Sequence, residues 1–334
     1  MKKVFVIAEA GANHNRQFDQ ARALIDAAAA AHADAVKFQT YSSETLYSKN
    51  TPDFAGYTNI SKLIKDIELP REWQKDLKLY CDDVGIEFMS TPFDEKAVEE
   101  LYNLGVKRLK IAGFESTDPR LVKYVASTKL PLVITAGIGS NLKMVGNIRS
   151  WVYEVNPKAD ITILHGNNAY PTPLEDIGLA QIDRIMEAFP DVKVGLSDHT
   201  EGIFVPPLAV VKGVTTIEKH YTLSRLLPGP DHPFAIEPQE LKEMIANIRL
   251  AEIANTSKED NFSASEQKMK QAMRAVVARR DLQEGEILTE ENVTTKRPCL
   301  EGSVAAIDYY KILGSRVLVT KRADDLLSWE DIDG

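Results

Sequence analysis

Residues 194–220 read VGLSDHTEGIFVPPLAVVKGVTTIEKH. Two short apolar runs, VGLSD (194–198) and TTIEKH (215–220), bracket this stretch, and both finish on polar residues. Near-continuous apolar character suits parallel strands buried on both faces. Six more such runs lie upstream: VFVIAE (4–9), AVKFQ (35–39), IEFMS (86–90), RLKIA (108–112), LVIT (132–135) and ITILHG (161–166). Amphipathic segments separate most of them, and beyond Pro238 the residues Leu241, Met244, Ile245 and Ile248 mark one helical stripe. Eight strand–helix units within about 250 residues is the arithmetic of a TIM (β/α)8 barrel. The alternative is a doubly wound open sheet.

One connection breaks the rhythm. Residues 41–69, YSSETLYSKNTPDFAGYTNISKLIKDIEL, are too long for a plain turn and read as a functional lid or a disordered loop. The expected organisation is a barrel domain over 1–253, a polar linker over 254–274 and a small β-rich domain over 275–334. The tail carries a faint repeat: DLQEGEILTEENV (281–293) resembles TKRADDLLSWEDI (320–332), with Thr289 and Ser328 placed as N-caps of short turns.

Composition narrows the function. Lys plus Arg number 40 and Asp plus Glu 49, a formal charge of −9, with no basic cluster. Such a chain suits neither nucleic acid nor an anionic membrane. Two cysteines, Cys81 and Cys299, cannot form a disulfide framework, which points to a reducing cytoplasm. Lys2-Lys3 leads straight into a strand, so no signal segment or membrane span is expected.

In a TIM barrel, chemistry gathers at the C-terminal strand ends. Lys37 and Lys110 lie within strands among apolar neighbours, where an unpaired ammonium is costly. They call either for a phosphate or carboxylate ligand, with hydroxyls from Thr91, Thr135 and Ser197, or for structural carboxylate partners. His199 and His220 end adjacent strands, and with Glu9 across the seam they form a candidate site for one divalent ion; hydrogen-bonded structural histidines are the alternative. His14 is another candidate to line the site. Lys219 suggests a Schiff base, but alternation turns it away from the face that His220 occupies.

The motifs EAGANHN (9–15), KFQTY (37–41), STPFD (90–94), LHGNNAYPTP (164–173), GLSDHT (195–200), IEKHYTL (217–223) and GPDH (229–232), in this order and spacing, resemble the sialic acid synthase family. That group includes N-acetylneuraminate, legionaminate and pseudaminate synthases. RDLQEGEILTEENVTTKRP (280–298) is similar to the family's antifreeze-like (SAF) domain. The resemblance implies condensation of phosphoenolpyruvate with the open-chain aldehyde of an N-acetylated amino sugar, yielding a nine-carbon 2-keto acid and phosphate. It also implies a homodimer with swapped SAF domains and a divalent ion, manganese first, with magnesium and cobalt as alternatives, on His199 and His220.

Carried over by position, Lys37, Thr91, Lys110, Thr135, Asn168 and Ser197 would hold phosphoenolpyruvate. Gln39, Tyr170, Asp231 and the SAF residue Arg297 would contact the sugar, with Glu9 near the aldehyde and Glu115 handling protons. The chain also departs from the pattern. KIAGFE (110–115) has Gly113 where the family often has serine, Ala136 and Gly166 replace a threonine and a cysteine, and KRPCLEGSVAA (296–306) is longer than the usual segment. The competing readings are a 3-deoxy-octulosonate phosphate type synthase and a non-catalytic sugar-binding homologue.

Overall fold

A computed structural model describes residues 3–53, 58–256 and 262–333. Strands form where the apolar runs predict them: β1 (Phe5–Gly11), β2 (Ala35–Thr40), β3 (Glu87–Pro92), β4 (Leu109–Ile111), β5 (Leu132–Thr135), β6 (Ile161–Gly166), β7 (Lys193–Asp198) and β8 (Thr216–His220). Two of the predicted runs coincide with β5 and β6, and the rest differ by a residue or two at an end. All pairings are parallel, and neighbours run β3-β2-β1-β8-β7-β6-β5-β4. The first strand therefore pairs with the last, which closes the sheet into a TIM barrel with its seam between β3 and β4 and rules out the open doubly wound alternative.

Alternation along each strand sorts residues to two faces. Outward residues such as Val36, Phe38, Ile134, Ile163, Leu196 and Ile217 pack with the helical layer in one large core. Inward residues Ile7, Ala35, Met89, Val133 and Leu164 form a separate apolar plug inside the barrel. The helices stop by ordinary local chemistry. Gly85 and Gly105, at φ +78° and +79°, end the helices Gln74–Val84 and Glu95–Leu104 in the left-handed conformation that suits glycine.

The long 41–69 connection contains two helices, Ser43–Leu46 and Ile60–Ile67; its residues 54–57 lie outside the described set. The stripe beyond Pro238 falls on the helix Pro238–Ala254, where Leu241, Met244, Ile245 and Ile248 are buried.

The chain divides into two compact units, Met1–Thr256 and Ser257–Gly334. Residues 257–261 of the expected linker lie outside the described set. The second unit contains a separate antiparallel pair, β9 (Ala275–Ala278) with β10 (Val293–Lys296), and a core including Val276, Leu282, Leu288, Val304, Val317 and Leu327. The repeat is real, and Ser328 is the N-cap of the short turn Trp329–Asp331, in a reciprocal capping box with Asp331. Asn292 Oδ1 accepts from the Thr289 N–H at 2.7 Å, and Asp331 Oδ2 accepts from both Ser328 N–H and Oγ–H at 2.7 Å. Among the described residues no helix is long and apolar enough to cross a membrane.

Candidate active site at the barrel mouth

Two residues beyond four of the five plug residues, on the same inward face, the chemistry changes from apolar to polar. Ile7 gives way to Glu9, Ala35 to Lys37, Met89 to Thr91 and Val133 to Thr135. Glu9 stands in register with Lys37 on one side and His220 on the other. Strand register thus assembles an acid, an ammonium and an imidazole at one level.

Both lysines are buried and ion-paired. Lys37 Nζ lies 2.7 Å from Glu9 Oε2, 2.9 Å from Thr91 Oγ1 and 3.7 Å from Glu218 Oε2. Lys110 Nζ lies 2.9 Å from Glu218 Oε1, which also accepts from Ser197 Oγ at 3.0 Å. Glu218 is therefore the hub of the site, and the sequence reading gave it no role. The signal was available, because the alternation that turns His220 inward turns Glu218 inward too. Lys219 faces the other way, into a buried pair with Asp198 at 2.7 Å.

The two carboxylates differ in character. Burial raises Glu9 to about 7, opposed by Lys37 and aided by Glu218. Glu218 is also desolvated, but the two ammonium groups hold it well below the usual carboxylate range. Burial lowers Lys110.

His199 and His220 lie with ring centroids 5.5 Å apart, and Tyr170 packs 4.2 Å from the first and 5.8 Å from the second. His199 Nδ1 donates to the Asn167 carbonyl at 2.6 Å, which leaves the Nε2 lone pair toward the barrel, 3.4 Å from Ser197 Oγ. Burial lowers His199 to about 4 and His220 well below its ordinary value, so both imidazoles are neutral. His220 Nδ1 is buried with no hydrogen-bond partner. Neutral rings, one oriented by a carbonyl and one with an orphaned nitrogen, are what a divalent ion requires. Among the described residues no third His, Cys, Asp or Glu completes a cluster with them.

Other orphaned buried atoms converge here: Thr135 Oγ1, Asn168 Oδ1 and Glu115 Oε2. Buried polar atoms without partners are costly, and their clustering at the C-terminal ends of β4, β5 and β6 marks a ligand site. Above this layer opens a cavity of about 260 Å³ lined by Gln39, Glu115, Tyr170, His220 and Asp231. Gln39 Nε2 donates to Glu9 Oε1 at 2.8 Å, tying chamber to floor. Burial raises both Glu115 and Asp231. Of the sequence-predicted residues, Arg297 alone belongs to the second unit, exposed just past β10.

His14 does not line the site. It is buried on the outer side of the barrel wall, packed against Phe38 and Trp73, and its Nδ1 accepts from the Arg16 N–H at 3.0 Å. Burial, reinforced by Arg16, lowers it to about 4. A depressed histidine binds its proton more weakly folded than unfolded, so its contribution is intact above pH about 6.5 and is lost as pH falls through about 4. The shift corresponds to about 3 kcal/mol at most. Thermal unfolding from pH 7 to 4 is expected to show a steeper loss for wild type than for His14→Gln; parallel curves would refute the assignment.

Residues 24–260 match the NeuB family model and residues 274–333 the SAF domain model. The chain is 38% identical over 341 residues to the N,N'-diacetyllegionaminic acid synthase of Legionella pneumophila, covering 98% of this chain and 94% of that one. It is 34% identical over 304 residues to a pseudaminic acid synthase of Campylobacter jejuni, covering 89% and 88%. The crystal structure of an N-acetylneuraminic acid synthetase from Leptospira borgpetersenii superposes with TM-score 0.74 at 31% identity, over 80% and 90% of the chains. This barrel is an enzyme of the sialic-acid-type sugar synthase class. The chain belongs to the NeuB family.

Proposed function

We propose that the chain condenses phosphoenolpyruvate with the open-chain aldehyde of an N-acetylated amino sugar, consuming water and releasing phosphate and a nine-carbon 2-keto acid. The observation that carries this reading is the stacking of a buried, lysine-bearing layer beneath a chamber that carries hydrogen-bonding groups and, among the described residues, no Lys or Arg. Lys37 and Lys110 would take the anionic substrate, exchanging part of their pairing with Glu9 and Glu218. Thr91, Thr135, Asn168 and Ser197 would supply neutral hydrogen bonds to it. Gln39, Tyr170 and Asp231 would orient the sugar, with Glu9 at the aldehyde.

Burial favours the protonated form of Glu115, which suits it to hold a proton at the reacting centre. His199 and His220 fit a divalent ion, manganese first, magnesium or cobalt otherwise; when bound, it supplies Lewis-acid polarisation of the aldehyde. Among the described residues the chamber's lining includes no Lys or Arg, which disfavours a sugar-phosphate acceptor and hence an octulosonate phosphate type synthase.

Phosphate release from phosphoenolpyruvate with manganese and a panel of acceptors, N-acetylmannosamine and 6-deoxy diacetamido sugars, tests the reading. Release with none of them would refute it.

Gly113 bears on the anion site. A Cβ there would lie 2.5 Å from Asn168 Nδ2 and 3.1 Å from the Gly137 carbonyl, so the Asn168 carboxamide occupies the space that a side chain at 113 would need. Gly113→Ala is expected to displace Asn168 and weaken phosphoenolpyruvate about three- to ten-fold, one neutral hydrogen bond, as read by titration calorimetry. Unchanged affinity would remove Asn168 from the substrate contacts.

The reading includes a homodimer in which the SAF domain of one chain completes the sugar site of the other, and Arg297 is the contact to test. A forked guanidinium suits an acyl-amino or hydroxyl-rich sugar. Mixing Lys110→Ala with Arg297→Ala after subunit exchange is expected to restore a fraction of wild-type activity, because one site of each mixed dimer carries neither lesion. No recovery despite proven exchange would refute the sharing.

A further inference from the structure

The chamber has two unlike sides. One carries Gln39, Glu115, Tyr170, His220 and Asp231, and the other is built from the helix Ile60–Ile67. That helix reads ISKLIKDI, and Ile60, Leu63, Ile64 and Ile67 share one face at helical spacing, while Lys62, Lys65 and Asp66 are exposed on the other. Only Ile60 is fully buried; Leu63, Ile64 and Ile67 are half-buried and turn their side chains to the chamber, joined by Phe93 and Phe114. The nearby Tyr41 hydroxyl is already engaged, donating to the Ile67 carbonyl at 3.4 Å. An apolar face left half-finished against a ligand chamber gains by covering apolar ligand surface and penalises a hydroxyl that loses its water there.

We propose that Leu63, Ile64 and Ile67 form a specificity-determining wall that receives the end of the acceptor sugar remote from its aldehyde, and that this wall selects a terminal methyl over a terminal hydroxymethyl group. The inference rests on the synthase reading above, which sets the aldehyde at the Glu9 and His220 side of the chamber. An open-chain sugar anchored there extends away from the barrel floor, and its last carbon meets the aliphatic wall. A methyl fills that wall, whereas a hydroxymethyl oxygen must give up solvent or bend the chain away from Gln39 and Asp231.

The experiment compares acceptors that differ only at the last carbon: N-acetylmannosamine against its 6-deoxy analogue, and 2,4-diacetamido-2,4-dideoxymannose against its 6-deoxy analogue. Phosphate release is followed with phosphoenolpyruvate and manganese. The 6-deoxy member is expected to be favoured about 10- to 100-fold in kcat/KM, the range over which an apolar pocket discriminates against an added hydroxyl. Leu63→Asn keeps the side chain's branched shape and Ile64→Thr its β-branching while losing one carbon, and both add a polar group; each is expected to lower the preference to within about three-fold of unity, with phosphoenolpyruvate affinity unchanged. Equal turnover within each pair, a preference for the hydroxylated sugar, or a preference that survives both variants would overturn the wall. Phosphate release with no acceptor of either pair would instead overturn the synthase reading, and the wall with it.

Discussion

Lys110→Ala is expected to weaken phosphoenolpyruvate by one to two decades and to leave no measurable turnover. A charge-assisted contact from a buried ammonium is worth about 1.5–3 kcal/mol, which sets that range. The structure adds a second consequence. Lys110 lies 2.9 Å from Glu218 Oε1, while the other ammonium, Lys37, is 3.7 Å from Oε2. Removing Lys110 strands a buried carboxylate, and breaking a buried pair from one side commonly costs about 3–5 kcal/mol. The single variant is therefore expected to lose both affinity and thermal stability. Lys110→Ala combined with Glu218→Gln separates the two: stability should largely return while phosphoenolpyruvate binding stays weak. Thermal unfolding and titration calorimetry on the two variants read this directly. Wild-type affinity in the double variant would make Lys110 a purely structural partner of Glu218.

Stripping metal is expected to reduce turnover on the order of a thousand-fold, since Lewis-acid stabilisation is worth several kcal/mol. The prediction follows from the two neutral imidazoles, with His199 oriented by the Asn167 carbonyl and His220 Nδ1 orphaned. Chelation followed by manganese re-addition should abolish and then restore phosphate release. His199→Ala and His220→Ala should each purify with less bound metal than wild type. A full rate in excess chelator would sink the assignment.

Much of the architecture was legible because it is local. Parallel strands buried on both faces need apolar runs, and those runs placed all eight strands to within a residue or two. Strand-end position then pointed to Lys37, Lys110, His199 and His220 without any knowledge of what they touch. The 41–69 connection shows the limit of that approach. Its length marked it as unusual, yet only the fold turns Leu63, Ile64 and Ile67 toward the chamber that β1, β2 and β8 open beneath them.

By itself, the sequence determined the strand–helix order, most of the inward polar positions though not Glu218, the second domain's repeat and the family. Tertiary structure alone decided the pairings: Lys110 with Glu218 across 108 residues of chain, Asn168 in the space left by Gly113, and His14 outside the barrel wall rather than in its mouth. The physical reason is one of range. Periodicity and turn chemistry act over a few residues, so they are written in consecutive letters. Burial, desolvation and charge pairing act through space, and which groups share a dry interior is settled only when the barrel closes.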